Sequence, residues 1–311
     1  MENEEKWVKF YSDHLSDLVL LGFEFTNKVA SEKKFNVINS LPGIIYLRTF
    51  FEIIDSIALN IRNGITEVPT RSLIRVLTEY FFGCMYLCKE LNSYEDKSLS
   101  IAYTSILENE KGYSPFYEEN LSHTYKMLKD DFNYMGTFDK FNFDYNSSKK
   151  FFKGVLEHPD FYKISEEYKR TKGQRAFKKK KFIPWYSLFY GPLNIAELSK
   201  NTGQFDMYET IYKEYSHDAH GSKVFRNQWS INQSSFVLSI DSIRVPVNMR
   251  EPTILTTILT ERLLTFCTRG LELENSEIII SFRNSLVKFL KKDPGFEPID
   301  VKGNRVLNFD D

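Results

Sequence analysis

The sequence is poor in the residues and segments that mark several common protein classes. It has only 14 glycines and 10 prolines in 311 residues, which argues against a turn-rich β architecture. No run approaches the ~20 apolar residues that span a bilayer, and the acidic N-terminus has no apolar secretory core. The sequence therefore predicts a cytoplasmic protein that does not interact with membranes.

Cysteine is equally scarce, with three residues in the whole chain. Cys84 and Cys88 are four residues apart, so they share one face of a helix. This spacing suits neither a disulfide nor a Cys-x-x-Cys metal site. We expect these two residues and Cys267 to be buried free thiols, because unpaired cysteine packs as a small hydrophobic residue.

The signature motifs of several enzyme classes are also absent. The chain contains no P-loop, no G-x-G-x-x-G, no H-E-x-x-H and no G-x-S-x-G, which excludes P-loop NTPases, Rossmann dehydrogenases, zincins and α/β hydrolases. His217 and His220 are three residues apart, but no third metal ligand is evident. We therefore expect neither a metal nor another cofactor. The 41 basic and 42 acidic residues give a net charge of -1, so the net charge does not point to any class of partner.

What the sequence does contain is helical periodicity. Apolar residues recur at helical spacing through residues 1–91 and 185–292, and this pattern predicts an all-α protein, a multi-helix bundle. Residues 92–184 show shorter helical patterns separated by Asn, Gly, Asp and Ser, which predict an inserted lobe of short helices and irregular chain. Residues 293–311 are predicted to form an extended tail.

Several local features of the bundle and the lobe can also be predicted. One helix is expected to begin with Pro42 near its first position, and Asp206 is expected to cap another. The aromatic stretch 132–146 has no clear period and predicts an irregular loop. Residues 221–234 are rich in Asn, Gln, Ser and Gly and predict a second loop. No convincing β-hairpin is evident.

Two polar stripes stand out among the apolar residues of the predicted helices. The stripes are Arg71, Arg75 and Glu79 in one helix, and Tyr208, Tyr212, Ser216 and His220 in another. Residues four apart lie on one helical face, and an ionised group among apolar residues is costly unless it is paired. If the two helices meet, Arg75, Glu79 and His220 form one buried polar cluster.

Each stripe has a functional and a structural interpretation. Arg75 would hold a phosphate or a developing negative charge while Glu79 orients it, and His220 would be a general acid or base. Alternatively, Arg75 and Glu79 tie neighbouring helices together, and His220 faces the negative end of the helix dipole. In that case Tyr208 and Tyr212 are core or rim residues.

A basic segment at residues 168–182 contains eight basic residues and no acidic one. The eight residues are Lys169, Arg170, Lys172, Arg175, Lys178, Lys179, Lys180 and Lys181. Lysine and arginine release counterions from nucleic acid, so this segment is a candidate RNA-binding surface. Three interleaved aromatic side chains could stack on bases. A solvated loop explains the same composition.

The polar stripes also carry a family resemblance. Its motif is Arg71-Ser-Leu-Ile-Arg75-Val-Leu-Thr-Glu79, followed late in the chain by Tyr208, Tyr212, Ser216 and His220-Gly-Ser. This order resembles a widespread bacterial all-helical family that is known only as a domain of unknown function, over about residues 40–90 and 185–225. Such proteins distantly resemble the HEPN superfamily of helical bundles. HEPN nucleases carry an arginine and a late histidine with four to six residues between them, and no arginine stands at that distance before His217 or His220.

The resemblance implies a HEPN-like toxin or phage-defence protein that acts on RNA as a metal-independent endoribonuclease. In this role His220 is the general acid or base, and Arg75 and Arg71 stabilise the charge on the phosphate. Tyr212 and Ser216 then position His220 or the substrate. A homodimer and a cognate partner protein are expected by the same analogy.

The alternative is a non-catalytic helical module that binds a nucleotide or a protein. In that case the cluster of Arg75, Glu79 and His220 is structural, and the apolar helix at residues 252–273 provides a dimer surface. The two hypotheses predict different effects of replacing His220 on the stability of the protein. A structural cluster loses a partner when His220 is replaced, which strands a buried charge, whereas a catalytic histidine can be removed at little cost.

Overall fold

The fold is given by a computed structural model that describes most of the chain. The described residues are 2–32, 34–66, 68–112, 118–132, 135, 137–219, 229–232, 237–240, 248–273 and 277–293. They are almost entirely helical, which confirms the prediction of an all-α chain apart from one short hairpin. Among the described helices, none combines the length and apolar character of a bilayer-spanning segment. The predicted tail beyond Asp293 lies outside the described residues.

Helices make up most of the described chain. The α-helices are α1 (Glu2–Ser31), α2 (Val37–Arg62), α3 (Val68–Leu87), α4 (Tyr94–Gly112), α5 (Glu118–Phe132), α6 (Phe138–Leu156), α7 (Tyr162–Gly173), α8 (Ile195–Asn201), α9 (Phe205–Met207), α10 (Lys213–Ala219), α11 (Arg250–Gly270) and α12 (Glu277–Leu290). A π-helical turn, Tyr208–Tyr212, joins α9 to α10.

The one extended element is a two-stranded antiparallel hairpin of β1 (Trp229–Asn232) and β2 (Val237–Ile240). Its register places Trp229 opposite Ile240. The prediction of a loop at 221–234 without a hairpin is therefore wrong for the strand residues. Each strand has only four residues, too few for a period-two pattern to stand out in the sequence.

The start of α2 also differs from the prediction. The Asn36 side chain accepts hydrogen bonds from the backbone N–H groups of Ile38 and Asn39, so it caps the helix well before Pro42. Pro42 instead lies inside α2. The Ser98 hydroxyl accepts a 2.8 Å hydrogen bond from the N–H of Gly43. This contact supports the helix next to a residue that would ordinarily disrupt it.

Two further local predictions are wrong. The stretch 132–146 is not an irregular loop over most of its length, because α6 begins at Phe138 with Thr137 as its cap. The cap accepts a 3.3 Å hydrogen bond from the N–H of Lys140. Asp206 is not a helix cap; its carboxylate accepts a 3.1 Å hydrogen bond from Arg262.

The chain divides into two compact units. The first comprises Met1–Lys33, Ile44–Leu91 and Ser199–Asp311, and the second comprises Lys34–Gly43 and Asn92–Leu198. In the second unit, α4 packs against α6 and α7. Its core consists of apolar and aromatic side chains that include Leu99, Tyr103, Phe161, Ile164, Tyr168, Phe177, Ile183 and Leu188.

The first unit is organised around α3, which packs against α10 and α11, while α1 packs against α11 and α12. The face that α11 buries carries Leu259, Leu263 and Leu264. Its apolar side chains on this face fill the core, whereas Ile258 is 37% exposed. The hypothesis that this helix provides a dimer surface stays a prediction. All three cysteines are buried and free, as the sequence predicts.

A histidine in this core makes the stability of the first unit sensitive to acid. The Nε2 atom of His14 lies 3.0 Å from the Thr257 hydroxyl, and its ring stacks on Phe289. His14 is only 5% exposed, and burial lowers the pKa of its imidazole to about 4. In the unfolded chain His14 binds a proton as the pH falls below its ordinary pKa of about 6.5. In the folded chain it binds that proton only near pH 4.

We expect this difference to cost stability as the pH falls from about 6.5 towards 4. Because the unfolded state binds more protons in this window, the free energy of unfolding should drop by about 2 kcal/mol at pH 5 on account of His14. His14→Gln should flatten the pH dependence measured by urea denaturation. His123→Gln, at an exposed position in α5, is the control. Equal slopes in wild type and His14→Gln would contradict the assignment.

Candidate functional site

The two predicted polar stripes meet in the first unit. One side of α3 carries Arg71, Arg75 and Glu79. The buried residues of the helix include Ile74, Leu77 and Phe81. The continuous helical segment 205–219, formed by α9, the π-turn and α10, packs against this side. An α-helix returns to the same face every three to four residues, so both stripes project towards one another.

Arg75 is the centre of the resulting cluster. Its Nε donates a 3.2 Å hydrogen bond to the Ser216 hydroxyl. Its Nη2 donates to Glu79 Oε1 at 2.8 Å and to the Tyr212 hydroxyl at 3.2 Å. The guanidinium also lies 5.2 Å from the centroid of the Tyr212 ring. Three predicted site residues therefore hold the guanidinium in one orientation.

The partners of Arg75 are themselves joined. The Tyr212 hydroxyl donates a 2.8 Å hydrogen bond to Glu79 Oε1, and the Ser216 hydroxyl donates a 2.6 Å bond to the carbonyl of Tyr212. Burial raises the pKa of the Tyr212 hydroxyl, and the hydrogen bond to Glu79 raises it further. Tyr212 therefore stays protonated and continues to donate to Glu79.

Among the described residues, no protein group accepts a hydrogen bond from the Nη1 nitrogen of the Arg75 guanidinium. Arginine has five N–H donors, and within the described residues Arg75 uses only those on Nε and Nη2. The Arg75 side chain is 21% exposed and that of Glu79 is 34% exposed. The Nη1 group can therefore bind an anion while the other donors keep the guanidinium fixed.

The π-turn shapes the tyrosine side of the cluster. The backbone N–H of Lys213 bonds back to the carbonyl of Tyr208, which is the wider spacing of a π-helix, a conformation frequent at functional sites. The Tyr208 ring stacks on Tyr212 with centroids 5.2 Å apart, and Phe205 stacks on Tyr208 at 5.7 Å. Tyr208 therefore supports the ring of Tyr212.

A second arginine cluster lies one turn along α3, where the predicted residue Arg71 contacts Glu251 and Tyr215, which no sequence pattern indicates. Arg71 Nη2 lies 3.5 Å from Glu251 Oε1, and the Tyr215 hydroxyl donates a 2.5 Å hydrogen bond to the same oxygen. The Arg71 guanidinium lies 5.1 Å from the centroid of the Tyr215 ring. Arg71 is thus placed beside Arg75, but it is held by different partners.

The electrostatics of this second cluster favour an ionised carboxylate. Burial alone would raise the pKa of Glu251, but hydrogen bonds from Tyr215 and Asn248 and the charge of Arg71 bring it below its ordinary value. Burial and the bond to Glu251 raise the pKa of Tyr215. Each of the two arginines is therefore balanced by one carboxylate and covered by one tyrosine ring.

His220, the predicted general acid or base, lies outside the described residues. The cluster predicted from Arg75, Glu79 and His220 is thus observed for its first two members only. Among the described residues, no group of three or more His, Cys, Asp or Glu side chains is placed to hold a metal ion.

The predicted basic segment lies in the second unit, with Lys169, Arg170 and Lys172 on α7 and the other five basic residues beyond it. Lys169 and Arg170 on α7 pair with Glu166 and Glu167 one turn earlier. Beyond α7 the chain carries exposed cations. These are Arg175, Lys178, Lys179, Lys180 and Lys181.

The hydroxyl of Tyr212 offers a direct test of the cluster. Tyr212→Phe removes the hydroxyl that bonds to both Arg75 and Glu79. It should lower the free energy of unfolding by about 1.5–3 kcal/mol, the range for hydrogen bonds to charged groups. Tyr208→Phe is the matched control, since it changes the neighbouring stacked ring and its hydroxyl has no partner among the described residues. Equal effects in urea denaturation would mean that the Tyr212 hydroxyl contributes nothing to the cluster.

The comparison with known proteins bears on the same segments. The model of a family of unknown function (DUF5677) matches residues 42–233. This span includes α3 and the segment 205–219, and therefore the whole Arg75 cluster, whereas Glu251 of the second cluster lies beyond it. No curated protein and no solved structure matches the chain.

Proposed function

The chain belongs to this family of unknown function, and we propose that it acts on RNA as a metal-independent endoribonuclease of the HEPN-like toxin or phage-defence type. The observation that carries the proposal is the state of Arg75. Its guanidinium is fixed by Glu79, Tyr212 and Ser216, yet Nη1 is without a protein acceptor among the described residues and the side chain is part-exposed. A fixed, part-exposed guanidinium suits a phosphate.

The proposed reaction needs no group beyond the protein and the RNA. The 2′-hydroxyl of a nucleotide attacks the adjacent phosphorus and gives its proton to a general base, for which the sequence offers His220. The bond from phosphorus to the 5′-oxygen breaks, and that oxygen receives a proton from the general acid. The products are a 2′,3′-cyclic phosphate and a 5′-hydroxyl. Arg75 stabilises the charge that develops on the phosphate oxygens, with Arg71 one turn away.

The remaining residues have supporting roles in this proposal. Glu79 and Ser216 hold the guanidinium so that Nη1 faces the phosphate, and Tyr212 links the two sides of the site. A fixed donor stabilises developing charge without reorganising during the reaction. A homodimer and a cognate partner protein that restrains the activity are part of the same proposal, by analogy with HEPN systems.

A growth experiment tests the role assigned to His220. Expression of the wild type in bacteria should arrest growth and fragment cellular RNA, and His220→Ala should relieve both. His217→Ala is the matched control, because it removes a histidine three residues away that the proposal does not use. The proposal is wrong if His220→Ala is as toxic as the wild type, or if wild-type expression leaves RNA intact.

A second candidate function is a non-catalytic binding module in which the cluster is a structural lock. The specific observation in its favour is that Glu79, Tyr212 and Ser216 already satisfy two of the three nitrogens of Arg75. A lock would lose stability when any partner is removed, and it would have no effect on RNA. His220→Ala separates the two functions: an unchanged melting temperature with relief of toxicity supports the nuclease, whereas a lower melting temperature with no effect on RNA supports the lock.

A further inference from the structure

The second unit contains two aromatic residues whose backbone conformation is rare for residues other than glycine. Phe189 and Tyr190 have φ angles of 55° and 60°, in the left-handed region that is costly for bulky residues. Tyr190 is 83% exposed, so burial of its ring does not offset this cost. Strained residues of this kind concentrate at binding and catalytic sites.

The strained pair is held in place by a buried carboxylate. Glu167 on α7 accepts a 2.5 Å hydrogen bond from the backbone N–H of Phe189, and its side chain is only 10% exposed. It also accepts hydrogen bonds from Arg170 and Thr171. The hydrogen bond from Arg170 is the main reason that the pKa of Glu167 lies below its ordinary value.

The rest of the loop is anchored on both sides of the strained pair. Ser187 donates a 2.6 Å hydrogen bond to the carbonyl of Pro192, and Leu188 is buried in the core of the unit. Among residues 187–192, Tyr190 is the one exposed to solvent.

Arg170 packs against the ring of Tyr190. Its guanidinium lies 3.8 Å from the centroid of the Tyr190 ring, while its Nε and Nη2 bond to the two oxygens of Glu167. The ring therefore has a cation fixed against one face. A planar, polarised ring with an exposed surface is suited to stacking on a nucleobase.

The basic chain after α7 contacts the segment that follows Tyr190. Lys180 Nζ lies 3.3 Å from the carbonyl of Leu193, three residues after Tyr190, and Lys172 donates to the carbonyl of Lys180. These contacts tie the basic chain after α7 to the loop. Within the part of the chain that the structure describes, Arg175, Lys178, Lys179 and Lys181 have no ion-pair partner.

We propose that Tyr190, backed by Arg170, is a base-stacking platform that works with Lys178, Lys179 and Lys181 to bind single-stranded nucleic acid. The ring stacks on an unpaired base while the lysines contact the phosphates on either side. A duplex hides its base faces and cannot stack in this way. The proposal rests on the proposed function for the identity of RNA as the natural ligand, and it extends that function by specifying single strands.

Binding can be measured separately from cleavage. A short single-stranded RNA with 2′-O-methyl groups has no free 2′-hydroxyl, so the proposed reaction cannot cut it. Fluorescence anisotropy of this labelled probe should show binding by the wild type and weaker binding of the matching duplex. Tyr190→Ala should weaken single-strand binding roughly tenfold, and Tyr190→Phe should restore it because the ring is retained.

Two further variants separate stacking from folding and from charge. Tyr190→Gly keeps the positive φ without a Cβ penalty, so it should bind as weakly as Tyr190→Ala while the circular dichroism spectrum is unchanged. Replacing Lys178, Lys179 and Lys181 by glutamine should reduce the slope of log affinity against log salt by about 2. Replacing Lys126, Lys129 and Lys153, three other lysines of the same unit, by glutamine is the matched control.

The outcomes distinguish this proposal from the proposed reaction. Absence of binding to the methylated probe, equal binding by Tyr190→Ala and wild type, or equal preference for the duplex would each overturn the platform. Binding to vesicles of anionic lipid but not to the probe would overturn it as well. Tight, Tyr190-dependent binding without cleavage of ordinary RNA would support the platform and count against the nuclease.

Discussion

Arg75→Lys should lower the rate of RNA cleavage by about 100-fold or more, which is the loss that follows removal of one donor to a developing oxyanion. Lysine keeps the positive charge, but it has no planar fork. It cannot bond to Glu79, Tyr212 and Ser216 as Arg75 does and still present two N–H groups to a phosphate. The loss should therefore appear in the rate of the chemical step, measured in single-turnover assays.

Arg48→Lys is the matched control for this experiment. Arg48 pairs with Glu52 at 2.9 Å across the same four-residue spacing, but both side chains are at least half exposed. Its replacement should leave cleavage unchanged. If Arg75→Lys cleaves RNA as fast as the wild type, Arg75 does not contact the reacting phosphate. If the wild type does not cleave RNA and Arg75→Lys melts at a much lower temperature than the wild type, the structural lock is favoured.

Gly270→Ala should destabilise the first unit by about 3 kcal/mol, at the upper end of the range for overpacking. Gly270 ends α11, and a Cβ atom there would overlap the carbonyl oxygen of Cys88 just after α3. A backbone oxygen cannot rotate away as a side chain can, so α11 and α3 would have to separate. Because α3 carries Arg75, this contact also supports the geometry of the proposed site.

Gly154→Ala is the control for the glycine experiment. Gly154 lies inside α6, and a Cβ atom built there meets nothing within 4 Å. Alanine should therefore stabilise the helix by about 0.5–1 kcal/mol. The two substitutions add the same methyl group and should shift urea denaturation in opposite directions. Unchanged stability in Gly270→Ala would mean that α11 and α3 pack less closely than described.

Much of the Arg75 cluster could be predicted because it depends on spacing. Residues four apart share a helical face, so the Arg75–Glu79 pair and the Tyr212–Ser216 pair are each readable from sequence. Their meeting required only that two apolar helices pack together. No sequence pattern points to Glu251, which lies 180 residues from its partner Arg71 and outside both stripes.

Other features depend on contacts that no local pattern records. Pro42 is accommodated inside α2 because Ser98, far along the chain, bonds to the next N–H group. The π-turn at Tyr208–Tyr212 has the wider π-helical hydrogen bond from the N–H of Lys213 to the carbonyl of Tyr208, and the rings of Tyr208 and Tyr212 stack across it. The strained pair Phe189 and Tyr190 is held by Glu167, which accepts a hydrogen bond from the N–H of Phe189, 22 residues later in the chain.

The central claim is that a guanidinium held by its neighbours stabilises charge on RNA, in a reaction that uses the 2′-hydroxyl. It is tested most directly by incubating the purified protein with a defined RNA in EDTA and identifying the product ends by mass spectrometry. The account predicts fragments that end in 2′,3′-cyclic phosphate and begin with 5′-hydroxyl, and no fragments from the Arg75→Lys protein. Intact RNA, or cleavage that requires a divalent metal and leaves a 3′-hydroxyl, would contradict it.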